Sequence, residues 1–237
     1  MIGRALLAHL LSVGDLSLED RDAVLRVKGE VLTLRRHQDI VKAGEKPAAA
    51  VVLLRGFLQR YISRRDGSRQ IHAFYIPSDA PSLESVQLDV MDNSLCAIVQ
   101  STVGLIPHTE LHHLMDGRPH VLRLIWRSSL IQAAMFREWL MRNSRLPAHA
   151  AMAHLFCEIY FRSRAAGLVQ QDSCEMPVTQ EMLADALGLT GVHVNRTLQM
   201  LRDTGMVDHK AGRLFVHDFD RLRAYADFDP AYLHIRA

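Results

Sequence analysis

The side chains whose types and spacing could do chemistry are concentrated between Pro177 and His217, and that chemistry is recognition rather than bond making. Arg196 carries a planar fork of donors with the reach to take guanine O6 and N7 together, and His193 and Asn195 are the next candidates for base or phosphate contact. Thr179, Gln180, Thr190, Lys210 and Arg213 are candidate phosphate holders, and Arg202 adds to the same basic cluster. Such groups need rigid supports. Thr179 follows a proline and is a good N-cap, Glu181 and Asp185 suit the front half of a helix, and Gly188 lets the backbone reverse. Thr190 then caps a second helix, Gly191 to Thr204, with Val194, Leu198 and Leu201 at helical spacing and His193, Arg196, Gln199 and Arg202 pointing elsewhere. After Gly205, Met206 to His209 and Arg213 to His217 flank the turn Lys210-Ala211-Gly212 and predict a small hairpin. Helix, turn, helix and hairpin together imply a winged reader of duplex DNA whose two helix N-termini add free N–H groups for phosphates. A helical hairpin with no ligand is the competing reading.

The run VTQEMLADALGLTGVHVNRTLQMLRDTGMVDHKAGRLFV resembles the DNA-binding domain of the Crp/Fnr family of bacterial transcription regulators. It combines both helices, their turn, the arginine near the start of the second helix and the wing. The resemblance implies a homodimer on an inverted-repeat promoter site, with RNA polymerase as a further partner and a small-molecule effector as the controlling input. One departure matters. Members of the family often carry an acid three or four residues before that arginine, whereas this chain has Val192 there, preceded by Gly191, so its target sequence should differ.

Composition permits this reading. The 237 residues can hold two modest domains, and a formal net charge of +2 places any DNA contact in local clustering rather than in an overall basic tail. The three cysteines, Cys96, Cys157 and Cys174, are far apart, which argues for a reducing compartment and makes the cytoplasm the expected location. The apolar run Ala5 to Leu11 is interrupted by His9, is too short to span a bilayer and lacks a small-residue cleavage pattern. It predicts a packed amphipathic helix and no membrane partner. Ser17-Leu18-Glu19-Asp20 should cap another short helix through about Val27.

Short β-rich runs then follow: Val31–Leu34, Asp39–Val41, Val51–Leu54, Leu58–Ile62, Ile71–Tyr75 and Cys96–Val99, separated by turn signals such as Arg55-Gly56 and Asp66-Gly67-Ser68. They predict an antiparallel sandwich or jelly roll. VKAGEKP, the LLRGF turn, DGSRQIHAFYIPSDA and STVGLIPHTEL are similar, in the right order, to the cyclic-nucleotide-binding-like sensor barrel of the same family. Past Pro119 the period becomes helical: Leu122, Trp126, Ser129, Ala133, Phe136 and Leu140 form an alternating four-three seam, while Leu124, Ile131 and Met135 form a second stripe. Periodicity alone fits an ordinary core helix equally well. The resemblance makes this the dimerisation helix. Leu146-Pro147 breaks it, and Ala148 to Ala166 starts the next helix, with Ala151, Leu155, Ile159 and Arg162 on successive turns. The expected class is therefore α+β: a jelly-roll sensor over residues 1–118, a dimerisation helix over 119–146 and a winged helix-turn-helix over 147–237.

No residue is assigned to an effector. Family members that bind cyclic nucleotides carry a Gly-Glu pair and, farther on, an Arg-Ser pair; here Asn93 replaces the arginine, and Asp89 and Asp92 would repel a phosphate. An iron–sulfur cluster needs several thiolates together, yet no cysteine precedes Cys96. His108, His112, His113, Asp116 and His120 could offer metal ligands, but Gly117 and Pro119 disturb any common helical face, so a solvated surface is expected. Neither a metal, a cluster, haem nor a cyclic nucleotide is expected as a cofactor. Cys174 reads as an inert thiol, and Met91, Met115, Met135 and Met141 read as core filler. The chain has no Gly-rich phosphate loop, HExxH pair or Gly-x-Ser-x-Gly elbow, so an enzyme using the barrel pocket is the remote alternative. A constitutive DNA binder with a vestigial sensor is the nearer one.

Overall fold

The computed structural model describes residues 1–235. Two short helices lead in. In α1 (Ile2–Val13), Ile2, Leu6, Leu10 and Val13 recur at helical spacing and are buried. Ser17 caps α2 (Leu18–Leu25) by accepting from the Asp20 N–H at 3.1 Å, and the helix stops two residues short of the expected Val27. Strands β1 (Glu30–Leu34), β2 (Asp39–Val41), β3 (Ala49–Arg55), β4 (Leu58–Ser63), β5 (Arg69–Tyr75), β6 (Ser94–Ala97) and β7 (Ser101–Pro107) follow, with a 3-10 turn at Leu83–Val86. They form two sheets, ordered β1-β7-β3 and β2-β6-β4-β5, with antiparallel pairing of β7 to both its neighbours and of β6 to β2 and β4. The sheets are not joined edge to edge among the described residues, so the arrangement is jelly-roll-like rather than a closed barrel. Ala50 to Leu53 are buried without alternation because α1 packs over β3. Gly56 turns the chain from β3 into β4 at φ 91°, and a Cβ there would collide with Ser101, whose Oγ accepts from the Phe57 N–H.

The remaining elements are α3 (His108–Gly117), α4 (Pro119–Arg145), α5 (Ala148–Ala165), β8 (Ser173–Glu175), α6 (Gln180–Leu187), α7 (Gly191–Asp203), β9 (Val207–Lys210), β10 (Arg213–Val216), α8 (Phe219–Tyr225) and a 3-10 turn at Pro230–Leu233. The chain divides into two compact units, residues 1–62 with 74–133 and residues 63–73 with 134–235. Along α4 the stripe Leu124 and Ile131 is buried, whereas Leu122, Trp126 and Leu140 stand exposed and Ser129, Ala133 and Phe136 are half-buried. Met91 and Met115 fill the core as expected and Met135 is half-buried, but Met141 is exposed: it lies on the open side of α4 beside Leu140.

The second unit has a polar heart. Glu158 on α5 is fully buried, and its Oε2 accepts from Trp139 Nε1 at 2.9 Å and from the Tyr232 hydroxyl at 2.8 Å. Arg142, equally buried, lies 3.9 Å from the same carboxylate and stacks over the Trp139 ring at 4.3 Å, while Arg162 Nη1 reaches Glu158 Oε1 at 3.6 Å. Burial pulls the Arg142 guanidinium below its ordinary pKa, and Glu158 opposes that shift. His154, one turn before Glu158, is enclosed by the Phe228 and Tyr232 rings at 5.0 and 6.0 Å. Burial first, and then the Arg142 charge, pull its imidazole down to about 3. Its Nε2 lies 3.3 Å from Glu138 Oε1, a separation that makes no ion pair at neutral pH because the ring is uncharged.

Two outcomes follow from this cluster. Glu158→Leu leaves the Arg142 charge buried and unmatched, which should lower unfolding stability by about 3–5 kcal/mol in urea titrations; combining it with Arg142→Met should restore most of the loss. For His154 the folded pKa is depressed, so the unfolded chain takes up a proton that the folded chain refuses, and stability falls as pH drops below the unfolded value toward about 3. Between pH 7 and 5 this group alone should cost roughly 2 kcal/mol, and His154→Leu should flatten that part of the pH–stability curve measured by urea unfolding.

Candidate nucleic-acid interface

Local chemistry sets the two helices. Thr179 Oγ1 accepts from the Met182 N–H at 3.2 Å, so α6 starts where the proline, threonine and acids predict, and Gly188 ends it at φ 66° in the left-handed region. Thr190 Oγ1 accepts from the His193 N–H at 3.3 Å and opens α7. The helices pack together, burying Met182, Leu183, Ala186 and Leu187 on one side and Val194, Thr197 and Leu201 on the other. Thr197 is admitted to that core because its hydroxyl donates to the His193 carbonyl at 2.8 Å. With 3.6 residues per turn, Val192, Asn195, Arg196 and Gln199 fall within an arc of about 100° facing away from the core. All four are exposed. Arg196 makes no hydrogen bond or ion pair among the described residues, so its fork is free to face a ligand. Asn195 Nδ2 lies 3.5 Å from Gln180 Oε1, which brings the first residue of α6 to the outward face of α7.

The wing is a sheet of three strands, ordered β8-β10-β9, where the sequence predicts two. Ala211 and Gly212 make the turn with φ 50° and 71°. Arg202 and Lys210, proposed as basic contacts, meet on one carboxylate: Arg202 Nε reaches Asp208 Oδ1 and Lys210 Nζ reaches Oδ2, both at 3.0 Å. Partial burial opposes ionisation of Asp208, yet hydrogen bonds from Lys210 and Arg202 hold its carboxyl below the ordinary range. Arg213 Nη2 donates to Ser173 Oγ at 2.8 Å and so joins β10 to β8. The expected residues thus fall into an α6–α7 group of Thr179, Gln180, Thr190, His193, Asn195 and Arg196, a pair on Asp208, and Arg213 beside Ser173. Asp208 was missing from the sequence reading. Its signal is the alternation in Val207–Lys210, which puts Asp208 and Lys210 on one face.

In the first unit, Asn93 is buried and its amide donates to Asp92 at 2.5 Å, and Asp89 pairs with Lys46 at 2.8 Å. A buried arginine is nevertheless present, at a position that sequence reasoning passed over. Arg60 on β4 is enclosed under the Tyr75 ring, donates to the Pro81 carbonyl and pairs with Glu84 at 2.5 Å. Burial alone would lower its pKa, but Tyr75 and Glu84 more than offset that. All three cysteines are free and buried, and burial raises the Cys174 thiol and pushes Cys157 up to about 12. These thiols stand on β6, α5 and β8, a donor set that does not fit an iron–sulfur cluster, and no three His, Cys, Asp or Glu side chains among the described residues group as metal ligands. No helix among them is long and apolar enough to cross a membrane.

The profile of the Crp-like helix-turn-helix domain matches residues 150–225, the stretch that contains α6, α7 and the wing strands β9 and β10. The chain is similar to the transcriptional activator protein FnrL of Cereibacter sphaeroides, 27% identical over 199 residues that cover 81% of this chain and 78% of the relative. It is 21% identical to the transcriptional activator protein Anr of Pseudomonas aeruginosa over 93% of this chain and 90% of that one. In fold it resembles the solved structure of FixK2 from Bradyrhizobium japonicum, with a TM-score of 0.73 and 20% identity over 84% of this chain and 98% of that one. Residues 150–225 thus form a Crp-like helix-turn-helix domain that turns a free arginine outward, and the chain as a whole is similar to DNA-binding transcription regulators of the Crp/Fnr type.

Proposed function

We propose that the protein acts in the cytoplasm as a homodimer that reads an inverted-repeat promoter site, with RNA polymerase as a further partner and without catalytic activity of its own. The observation that carries the reading is the unpaired Arg196 fork on the exposed face of α7, beside Asn195 and above two side-chain-capped helix N-termini. Arg196 contacts guanine, His193 and Asn195 contact neighbouring edges or phosphates, and Thr179, Gln180, Thr190, Lys210 and Arg213 hold the backbone. Pairing through α4 is supported by its open apolar seam: Trp126 is 64% exposed and Leu140 72%, a cost in water that a symmetry mate would remove. The first unit serves as the sensor. A small molecule other than a cyclic nucleotide is the effector class that fits, because Glu84 already neutralises Arg60 and Asp92 already engages Asn93.

Arg196→Ala should remove a bidentate contact worth about 1–3 kcal/mol per half-site and relax the preference at one symmetric base pair. Lys210→Ala should instead weaken all sequences nearly equally and reduce the salt slope by about one. Binding to a randomised duplex library at two salt concentrations separates the roles, and an unaltered base preference in Arg196→Ala would remove α7 from the groove. For the dimer, Trp126→Glu with Leu122→Lys should yield monomers in light scattering without loss of fold, since both side chains are exposed. A dimer that persists unchanged would place the interface elsewhere.

A further inference from the structure

We propose that Val192 is a specificity-determining residue that reads the C5-methyl group of a thymine in each half-site. The inference rests on the DNA-binding role of α7 proposed above. Val192 is 85% exposed, more than any other large apolar side chain among the described residues. Its exposure shows that packing among the described residues does not call for a valine there. It sits in the first turn of α7, where β branching is mildly unfavourable for a helix, and it faces opposite the buried Val194, Thr197 and Leu201. The Thr190 cap works through the His193 N–H and does not involve the Val192 side chain. A polar residue would serve the monomer better.

The position acquires a use only against a ligand. Val192 lies three residues before Asn195 and four before Arg196, so the three side chains form one continuous patch on the outward face of α7. Arg196 and Asn195 are hydrogen-bonding readers, suited to guanine and to adenine. The major groove displays a single apolar group, the thymine methyl, and a branched aliphatic side chain is matched to it as a carboxylate is matched to the cytosine amino group. Four residues of helix advance about 6 Å, so the thymine should lie within about two base pairs of the guanine taken by Arg196. A valine has neither donor nor acceptor and cannot take over the cytosine contact that an acid at this place would make. The substitution therefore changes which base is selected instead of merely weakening the contact.

The test separates methyl from base pair. After the half-site has been defined by selection from a randomised duplex library, each thymine near the guanine is replaced by deoxyuridine, which keeps every hydrogen-bonding group and lacks only the methyl. The wild-type protein should bind one such duplex more weakly by about four-fold per half-site, the factor that about 0.8 kcal/mol for one buried carbon group corresponds to. Val192→Ala, whose fold is checked by its thermal midpoint, should lose that thymine–uracil difference and keep the guanine preference. Val192→Glu should shift the selected base from thymine toward cytosine. Equal wild-type binding of thymine and uracil at every position, or a full difference retained by Val192→Ala, overturns the assignment while leaving the role of Arg196 standing. Absence of any sequence preference in the wild-type protein would overturn both this assignment and the DNA-binding reading beneath it.

Discussion

A carboxylate with no exposure to water must be matched in charge and in hydrogen bonds, and the second unit is arranged around meeting that demand at Glu158. Trp139 and Arg142 come from the end of α4, Arg162 from the next turn of α5, and Tyr232 from the last 3-10 turn. Segments separated by some ninety positions in the chain are thereby held to one helix. That helix also packs against α6, α7 and α8, so the orientation of the reading surface is inherited from how firmly α5 is held. The ion cluster contributes registry. A hydrophobic replacement could be as stable, but it would specify less sharply which turn of α4 meets which turn of α5.

The reading helix depends on smaller and more local forces. Two threonine caps, one left-handed glycine and a shared apolar seam fix α6 against α7, and the outward side chains then follow from helical phase alone. Such an arrangement leaves the outward face open to change at little cost to folding. Asn195 and Arg196 can be kept while the residue at 192 varies.

That division explains which features were legible in the sequence. Thr179, Gly188 and Thr190 signal through their immediate neighbours, so the helix boundaries and the outward face of α7 could be read directly, and the short β-rich runs of the first unit were visible between their turn signals in the same way. Long-range pairing leaves no such trace. Arg60 looked like an ordinary strand residue because its partner Glu84 lies 24 positions away. Strand β8 is only three residues long and α8 only seven, too short for periodicity to stand out. On α5 one apolar stripe was read, yet Ala150 to Tyr160 are buried without interruption, because neighbours cover every side: Glu158 is hydrogen-bonded from other elements and the uncharged His154 ring is enclosed by Phe228 and Tyr232.

Asp208 gives the wing a counterion of its own. With Arg202 and Lys210 both bound to one carboxylate, the three groups together present a single net positive charge before any nucleic acid arrives. A phosphate that approaches this corner must compete with an anion already in place, so docking there is an exchange of partners rather than the neutralisation of bare cations. Such an exchange rewards a backbone that arrives in the right position and gives little to one that does not. The wing would then hold random duplex only briefly, and residence time on DNA would be governed by the base contacts proposed for α7 rather than by the charge beside it.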